Sequence, residues 1–222
     1  MHQAKETSDS RRNTSWAELS WPPLLTYCAG WLGVCGVVAV VAYFFVDERA
    51  AYFFRAYQET PFRGLVSMLS KAGDSAWYVI GGAVGYVLLR WWYNVWAARS
   101  AYLFVSVVAT GLAAKAVKYL VGRPRPRIFL EEGDGSFRWL ETDWQLWSMP
   151  SGHAATIASV AMVLAVVYPR FRIPILACGI VLCFGRVVTL DHFVSDVVAG
   201  IAIGAVGALL LSKCFTLRDK NS

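Results

Sequence analysis

Long apolar runs separated by short polar clusters make up most of this chain. Leu24 to Val46 carries no charge and is of spanning length, since a bilayer core needs about 20 helical residues. Asp47, Glu48 and Arg49 follow it directly. A secretory signal peptide would have a shorter apolar region and a small-residue cleavage pattern ahead of the charges, so the run is expected to be a retained first helix. Five more apolar segments follow: Ala76 to Tyr93, Ser100 to Leu120, Ala154 to Tyr168, Ile173 to Leu190 and Phe193 to Ser212. Several reach spanning length only when their polar ends are counted. Pro169 and Pro174 flank the basic stretch Arg170 to Arg172, which predicts a tight reversal between the fourth and fifth helices. The pattern predicts an all-α, polytopic membrane bundle of about six transmembrane helices, with no internal repeat. It reads as one domain over residues 23–214, between cytoplasmic tails at 1–22 and 215–222.

Composition agrees. At 57% hydrophobic and 16% charged residues, with a mean hydropathy of +0.46, the chain has too much apolar surface for one small soluble core. The basic residues set its orientation. With the N-terminus inside, the inner segments hold Lys5, Arg11 and Arg12, the Arg90 to Arg99 loop, Arg170 to Arg172, and Lys213, Arg218 and Lys220. The outer loops, Asp47 to Ser75 and Arg123 to Met149, mix acids with bases, among them Glu131, Glu132, Asp134, Glu141 and Asp143. This bias accounts for most of the net charge of +6, and no basic face of a soluble domain is left to grip nucleic acid. The five cysteines, 28, 35, 178, 183 and 214, form no CxxC pair and are expected to be small buried hydrophobes.

Three polar clusters carry candidate chemistry, and the predicted topology puts all of them on the outer face. In Pro150-Ser151-Gly152-His153, Pro and Ser mark a helix start whose free N–H groups and positive dipole end favour an anion. Gly152 lets a phosphate approach the backbone. Taken alone, the string is an ordinary helix cap with a surface histidine. In the cluster from Arg186 to Asp196, His192 and Asp196 are spaced i, i+4, which on a helix puts both on one face. Asp196 would then fix the tautomer of His192 and free its other nitrogen as a nucleophile. A carboxylate one turn inside an apolar run needs a partner, and His192 is the nearest in sequence. Asp191 reads as an interfacial anchor of small energetic weight. Lys118, Arg125 and Arg186 place cations where a phosphoryl group would sit, Arg forks being able to hold phosphate oxygens bidentately. Snorkelling toward headgroups is the competing account for Lys115 and Arg127, and Arg123 is intermediate.

These residues resemble the type 2 phosphatidic acid phosphatases, a superfamily shared with vanadium haloperoxidases and acid phosphatases. Its motifs KxxxxxxRP, PSGH and SRxxxxxHxxxD align with Lys118 to Pro126, Pro150 to His153, and Gly185-Arg186 through His192 to Asp196. The resemblance covers the chain from about the third helix to the C-terminus. It implies that His192, oriented by Asp196, attacks phosphorus to give a phosphohistidine. His153 would protonate the leaving group and then activate water. Lys118, Arg125, Ser151, Gly152 and Arg186 would hold the phosphoryl oxygens. Neither a metal nor another cofactor is implied, because the cations and a helix N-terminus do the neutralising. The chain departs from the motif at Gly185, where the family usually has Ser, and so lacks one phosphate-facing hydroxyl.

An outward-facing site at the bilayer surface suits a lipid phosphate whose tail stays in the membrane. Undecaprenyl diphosphate, phosphatidylglycerol phosphate, phosphatidic acid and lipid A phosphates all fit. The expectation is a lipid phosphate phosphatase in a bacterial inner membrane, acting on its periplasmic side. The alternatives are a lipid phosphotransferase using the same phosphohistidine and a non-catalytic membrane scaffold. Phe137, Trp139, Trp144 and Trp147 give the loop from Ile128 to Met149 the look of an interfacial flap, with mere anchoring an equal reading.

Overall fold

In the computed structural model, residues 20–140 and 142–215 are described. Glu141 and the charged residues of both tails, from Lys5 to Arg12 and at Arg218 and Lys220, lie outside them. Nine α-helices form among the described residues: α1 (Trp21–Phe45), α2 (Asp47–Arg55), α3 (Pro61–Ser70), α4 (Ser75–Leu89), α5 (Asn94–Val121), α6 (Pro126–Glu132), α7 (Gly152–Val167), α8 (Arg172–Val188) and α9 (Val194–Leu211).

The six expected apolar segments correspond to α1, α4, α5, α7, α8 and α9. Four stretches are long and apolar enough to cross a membrane: Trp21–Phe45, Asn94–Glu132, Pro169–Val188 and Val194–Cys214. Helices α4 and α7 are shorter, with 15 and 16 residues, so length supports four spans and leaves the count of six unestablished. The expected outer loop from Asp47 to Ser75 is largely helical. Asp47 and Glu48 sit at the N-terminal end of α2 and Arg55 at its C-terminal end, the arrangement the helix dipole favours. Pro61 starts α3 at a position where its missing N–H costs nothing.

Helix α9 is the hub, packed by α7, α1, α5 and α8, while α4 lies against the outside of α5. Accordingly 56% of its most apolar stretch is buried, against 22% for α1. The outward sides of α1, α4 and α8 present Val37, Phe44, Trp77, Leu88, Ile173 and Val181 as exposed apolar groups, the surface a lipid-facing helix needs. At one end of the bundle Tyr102 is fully buried and donates its hydroxyl to the Ala208 carbonyl at 2.7 Å, tying α5 to α9. At the other end Ala154, Ile157, Cys183, Val187 and Val197 form an apolar floor beneath the polar clusters. Cys28, Cys35 and Cys183 are buried as expected, but Cys178 and Cys214 are exposed, because each faces outward from the bundle.

Helices α7 and α9 approach each other closely. A β-carbon at Gly200 would collide with the Ser151 carbonyl, and one at Gly204 with the Ala155 carbonyl. Small residues let the two backbones approach, which in lipid replaces the hydrophobic force that drives helix association in water. Gly204→Ala is therefore expected to lower stability by about 1–3 kcal/mol, as overpacking does. Gly36→Ala in α1, with nothing within 4 Å of the added carbon, serves as the control and is expected to be neutral or slightly stabilising. Thermal unfolding of both variants in detergent checks this, and equal melting temperatures would refute it.

Candidate active site

Gly122 ends α5 in the left-handed region (φ 57°), a conformation that glycine adopts without strain. The chain then turns sharply away. Arg125 is extended (φ −75°, ψ 156°) and precedes Pro126 at the start of α6, so its side chain has a defined direction. In the last turn of α5, Lys118 donates to the carbonyls of Trp147 (2.6 Å) and Ser148 (3.3 Å). The loop before the PSGH cluster is thereby tied to the first cluster. A β-carbon on Gly152 would lie 3.8 Å from Lys118 Cε, so the lysine stem passes over the start of α7. Ser151 caps that helix by accepting from the Ala154 N–H at 3.3 Å, as its sequence predicts. Its own N–H donates to the Asp196 carbonyl (2.9 Å), which joins the second cluster to the third.

The third cluster is not one helical face. Helix α8 ends after Arg186, and Leu190 takes a left-handed backbone (φ 55°) unusual for a branched residue. Ala51 of α2 and Phe129 of α6 hold this kink in an apolar cluster with Leu190 and Phe193. The N–H groups of Asp191 and His192 both donate to the Arg186 carbonyl at 3.2 Å. His192 therefore stands on a loop, and α9 begins only at Val194. The i, i+4 spacing brings His192 and Asp196 together through this loop, with Nδ1 3.8 Å from Oδ2.

That distance exceeds a hydrogen bond, and Asp196 has closer partners than His192. Oδ1 accepts from Arg123 Nη1 at 2.6 Å, and Oδ2 from the Phe193 N–H at 2.9 Å and from the Ser148 hydroxyl. Ser148 Oγ also lies 3.5 Å from His192 Nδ1. A donor chain from Nδ1–H to the serine hydroxyl to the carboxylate leaves Nε2 with a free lone pair. Burial of His192, against the pull of Asp196 and reinforced by Lys118 and Arg186, pushes its pKa down to about 4. The imidazole is thus neutral near pH 7, as a nucleophile must be.

Arg123, which the sequence left between two readings, is buried and does not snorkel. Its second nitrogen pairs with Asp47 Oδ2 at 2.9 Å, and its plane lies on the Phe193 ring, 4.0 Å from the centroid. Asp47 in turn accepts from the Ser195 N–H (3.0 Å) and hydroxyl. Arg123, Asp47, Ser148 and Ser195 were not among the expected site residues. The one local sign was Asp47, a carboxylate abutting an uncharged spanning run.

Asp191 also departs from expectation. It accepts from Arg186 (3.1 Å), Arg127 (2.8 Å) and the Thr189 hydroxyl (2.7 Å), so it aims Arg186 and engages Arg127 in place of headgroups. Burial raises its pKa, but Arg186, the Thr189 hydroxyl and Arg127 outweigh that and hold it below the usual carboxylate range. The Ser70 hydroxyl of α3 accepts from the same Arg186 nitrogen, Nη1, at 3.4 Å. A hydroxyl therefore stands beside Arg186 although Gly185 supplies none.

Arg125 and Arg186 each keep a buried Nε–H without an acceptor among the described residues, a costly state that an anion's oxygens would relieve. Arg125 also lies over the Trp144 ring at 5.5 Å, which links the Trp-rich loop to the cluster. His153, in the first turn of α7, packs against Gly73 and lines a cavity of about 320 Å³ with Asp74, Lys118, Trp147 and Gly152. All eight expected site residues are thus gathered at one end of the bundle. Cations, a helix N-terminus and two imidazoles in one place can bind a phosphoryl group, attack it and move its protons.

Comparison with known proteins supports the same chemistry. The family model of the PAP2 superfamily matches residues 99–220. A lipid A 1-phosphatase of Rhizobium johnstonii is 36% identical over 173 residues, covering 70% of this chain and 68% of the relative. One of Rhizobium etli is 36% identical over 164 residues, covering 66% and 68%. The crystal structure of a transmembrane PAP2-type phosphatidylglycerolphosphate phosphatase from Bacillus subtilis has the same fold, with a TM-score of 0.55 at 20% identity over 85% of this chain and 92% of that one.

A charge-assisted hydrogen bond contributes about 1.5–3 kcal/mol. Because Asp191 holds Arg186, Asp191→Asn is expected to lower kcat/KM roughly 10- to 100-fold, mainly through KM. Steady-state kinetics of the purified variant measure this. An effect under about twofold would return Asp191 to a surface anchor.

Proposed function

Since the chain belongs to the PAP2 superfamily, we propose that its clustered residues make it a membrane lipid phosphate phosphatase that works through a phosphohistidine. The observation that carries this reading is the gathering of Lys118, Arg125, Arg186 and the α7 N-terminus in one cluster with the buried His192. His192 Nε2 attacks phosphorus in line, and the bond to the lipid oxygen breaks as His153 gives that oxygen a proton. The cations, with Ser151 and Gly152 at the helix start, hold the equatorial oxygens as charge redistributes. His153 then takes a proton from water, whose oxygen attacks the phosphohistidine. Inorganic phosphate leaves, and His192 is regenerated.

The substrate we propose is a lipid A-type glycolipid 1-phosphate. The identity to two lipid A 1-phosphatases supports it over the other lipid phosphates. The phosphatase is one domain over residues 23–214, in a bacterial inner membrane, with its site on the periplasmic side. The excess of basic residues in the opposite loops supports that sidedness.

Phosphate release in detergent from a panel of glycolipid 1-phosphate, phosphatidylglycerol phosphate, phosphatidic acid and undecaprenyl diphosphate tests activity and substrate together. Release is expected with EDTA present, to be fastest from the glycolipid, and to fall by roughly three orders of magnitude or more in His192→Ala. Substantial release by that variant, or loss in EDTA restored by a divalent cation, would overturn the mechanism. Sidedness is checked by cysteines introduced at Gly133 and Ser136, both exposed. They are expected to react with an impermeant thiol reagent added to the periplasmic side, whereas one at Arg170 is not. The reverse pattern would put the site in the cytosol.

A further inference from the structure

Between the first spanning helix and the nucleophile runs a buried ionic chain that the proposed reaction does not by itself require. Arg123 and Asp196 are each at most 4% exposed, as is Asp47. The guanidinium bridges the two carboxylates at 2.9 Å and 2.6 Å. Ser195 adds a second link, its hydroxyl accepting from Arg123 Nη1 at 2.7 Å and donating to Asp47. Asp47 lies outside residues 99–220, the part matched by the family model, so this end of the chain is added by the N-terminal helices.

We propose that Arg123 and Asp47 are positioning residues that set the basicity of the His192 imidazole through Asp196. Asp196 meets His192 at 3.8 Å and shares the Ser148 hydroxyl with it. How strongly Asp196 attracts a proton on His192 depends on how much of its charge Arg123 neutralises, and Asp47 takes part of Arg123's charge away. The other charged groups facing His192 are Lys118 from α5 and Arg186 from α8, with Asp191 beside it in the loop. None of these touches Asp47. The role rests on the phosphatase reading only for its catalytic consequence.

The two substitutions have opposite signs. In Asp47→Asn, Arg123 falls wholly on Asp196, the carboxylate stabilises an imidazolium less, and His192 titrates lower. In Arg123→Gln, Asp196 loses its cation, stabilises the imidazolium more, and His192 titrates higher. A merely structural clamp would not produce opposed shifts.

The test is a pH titration of imidazole ¹⁵N signals in the full-length protein in detergent. The chain has three histidines, so single substitutions at His2 and His153 assign the His192 resonance. Against a wild-type midpoint of about 4, the midpoint is expected to fall in Asp47→Asn and to rise in Arg123→Gln, by about half a pH unit or more each. Unchanged midpoints, or shifts of the same sign, would overturn the proposal. Removing Arg123 leaves two carboxylates buried together, so that variant is at risk of not folding. Asp47→Asn then decides alone, a lower midpoint supporting the proposal and an unchanged or higher one refuting it. The measurement needs no turnover. Failure of the wild type to hydrolyse any lipid phosphate would therefore count against the proposed function and leave this test intact.

Discussion

A carboxylate buried in the first turn of an apolar helix has to be neutralised, and Asp196 meets that demand with Arg123, Ser148 and the Phe193 N–H. Most of the site's architecture follows from it. Arg123 can reach Asp196 because Gly122 stops α5 and turns the chain toward α9. Ser148 can reach it because Lys118 holds the preceding loop by two carbonyls. The chain that leaves α1 places Asp47 against the other terminal nitrogen of the same guanidinium. Removing one member of such a network typically costs about 3–5 kcal/mol, since it leaves a buried charge uncompensated. The network therefore ties the starts of α2 and α9 to the segment that follows α5, at the place where it meets His192.

The second constraint is the glycine contact between α7 and α9. Bringing those backbones together puts the Ser151 N–H against the Asp196 carbonyl, so the start of α7 and the turn that carries His192 are held at fixed separation. Phosphoryl transfer depends more on positioning and charge than on covalent chemistry from the protein, so this rigidity bears directly on function. Lys118, Arg125 and Arg186 then approach from α5, α6 and α8 around the two fixed elements.

The chain by itself determined that this is a membrane bundle, and part of the polar cluster that meets at one end of it. Uncharged runs of spanning length leave few alternatives, because a helix is the simplest way to satisfy backbone groups in lipid. Three motifs in order pointed to Lys118, Arg125, Ser151, Gly152, His153, Arg186, His192 and Asp196. The helix start at Ser151 is local chemistry, readable from its neighbouring residues.

Only the tertiary structure decided how those residues are wired. A spacing of four suggests a shared helical face, but Leu190 breaks the helix, and His192 meets Asp196 across a loop with Ser148 between them. The partner of a buried charge need not be near in sequence, and Asp196 draws on Arg123 while Arg123 draws on Asp47, each from a different segment of the chain. Asp191 shows the same limit, since its reading as a surface anchor ignored the arginines that α6 and α8 bring to it. Periodicity reports which side of an element a residue occupies. Which groups face it there depends on packing between distant segments, and so does the number of helices that cross the bilayer.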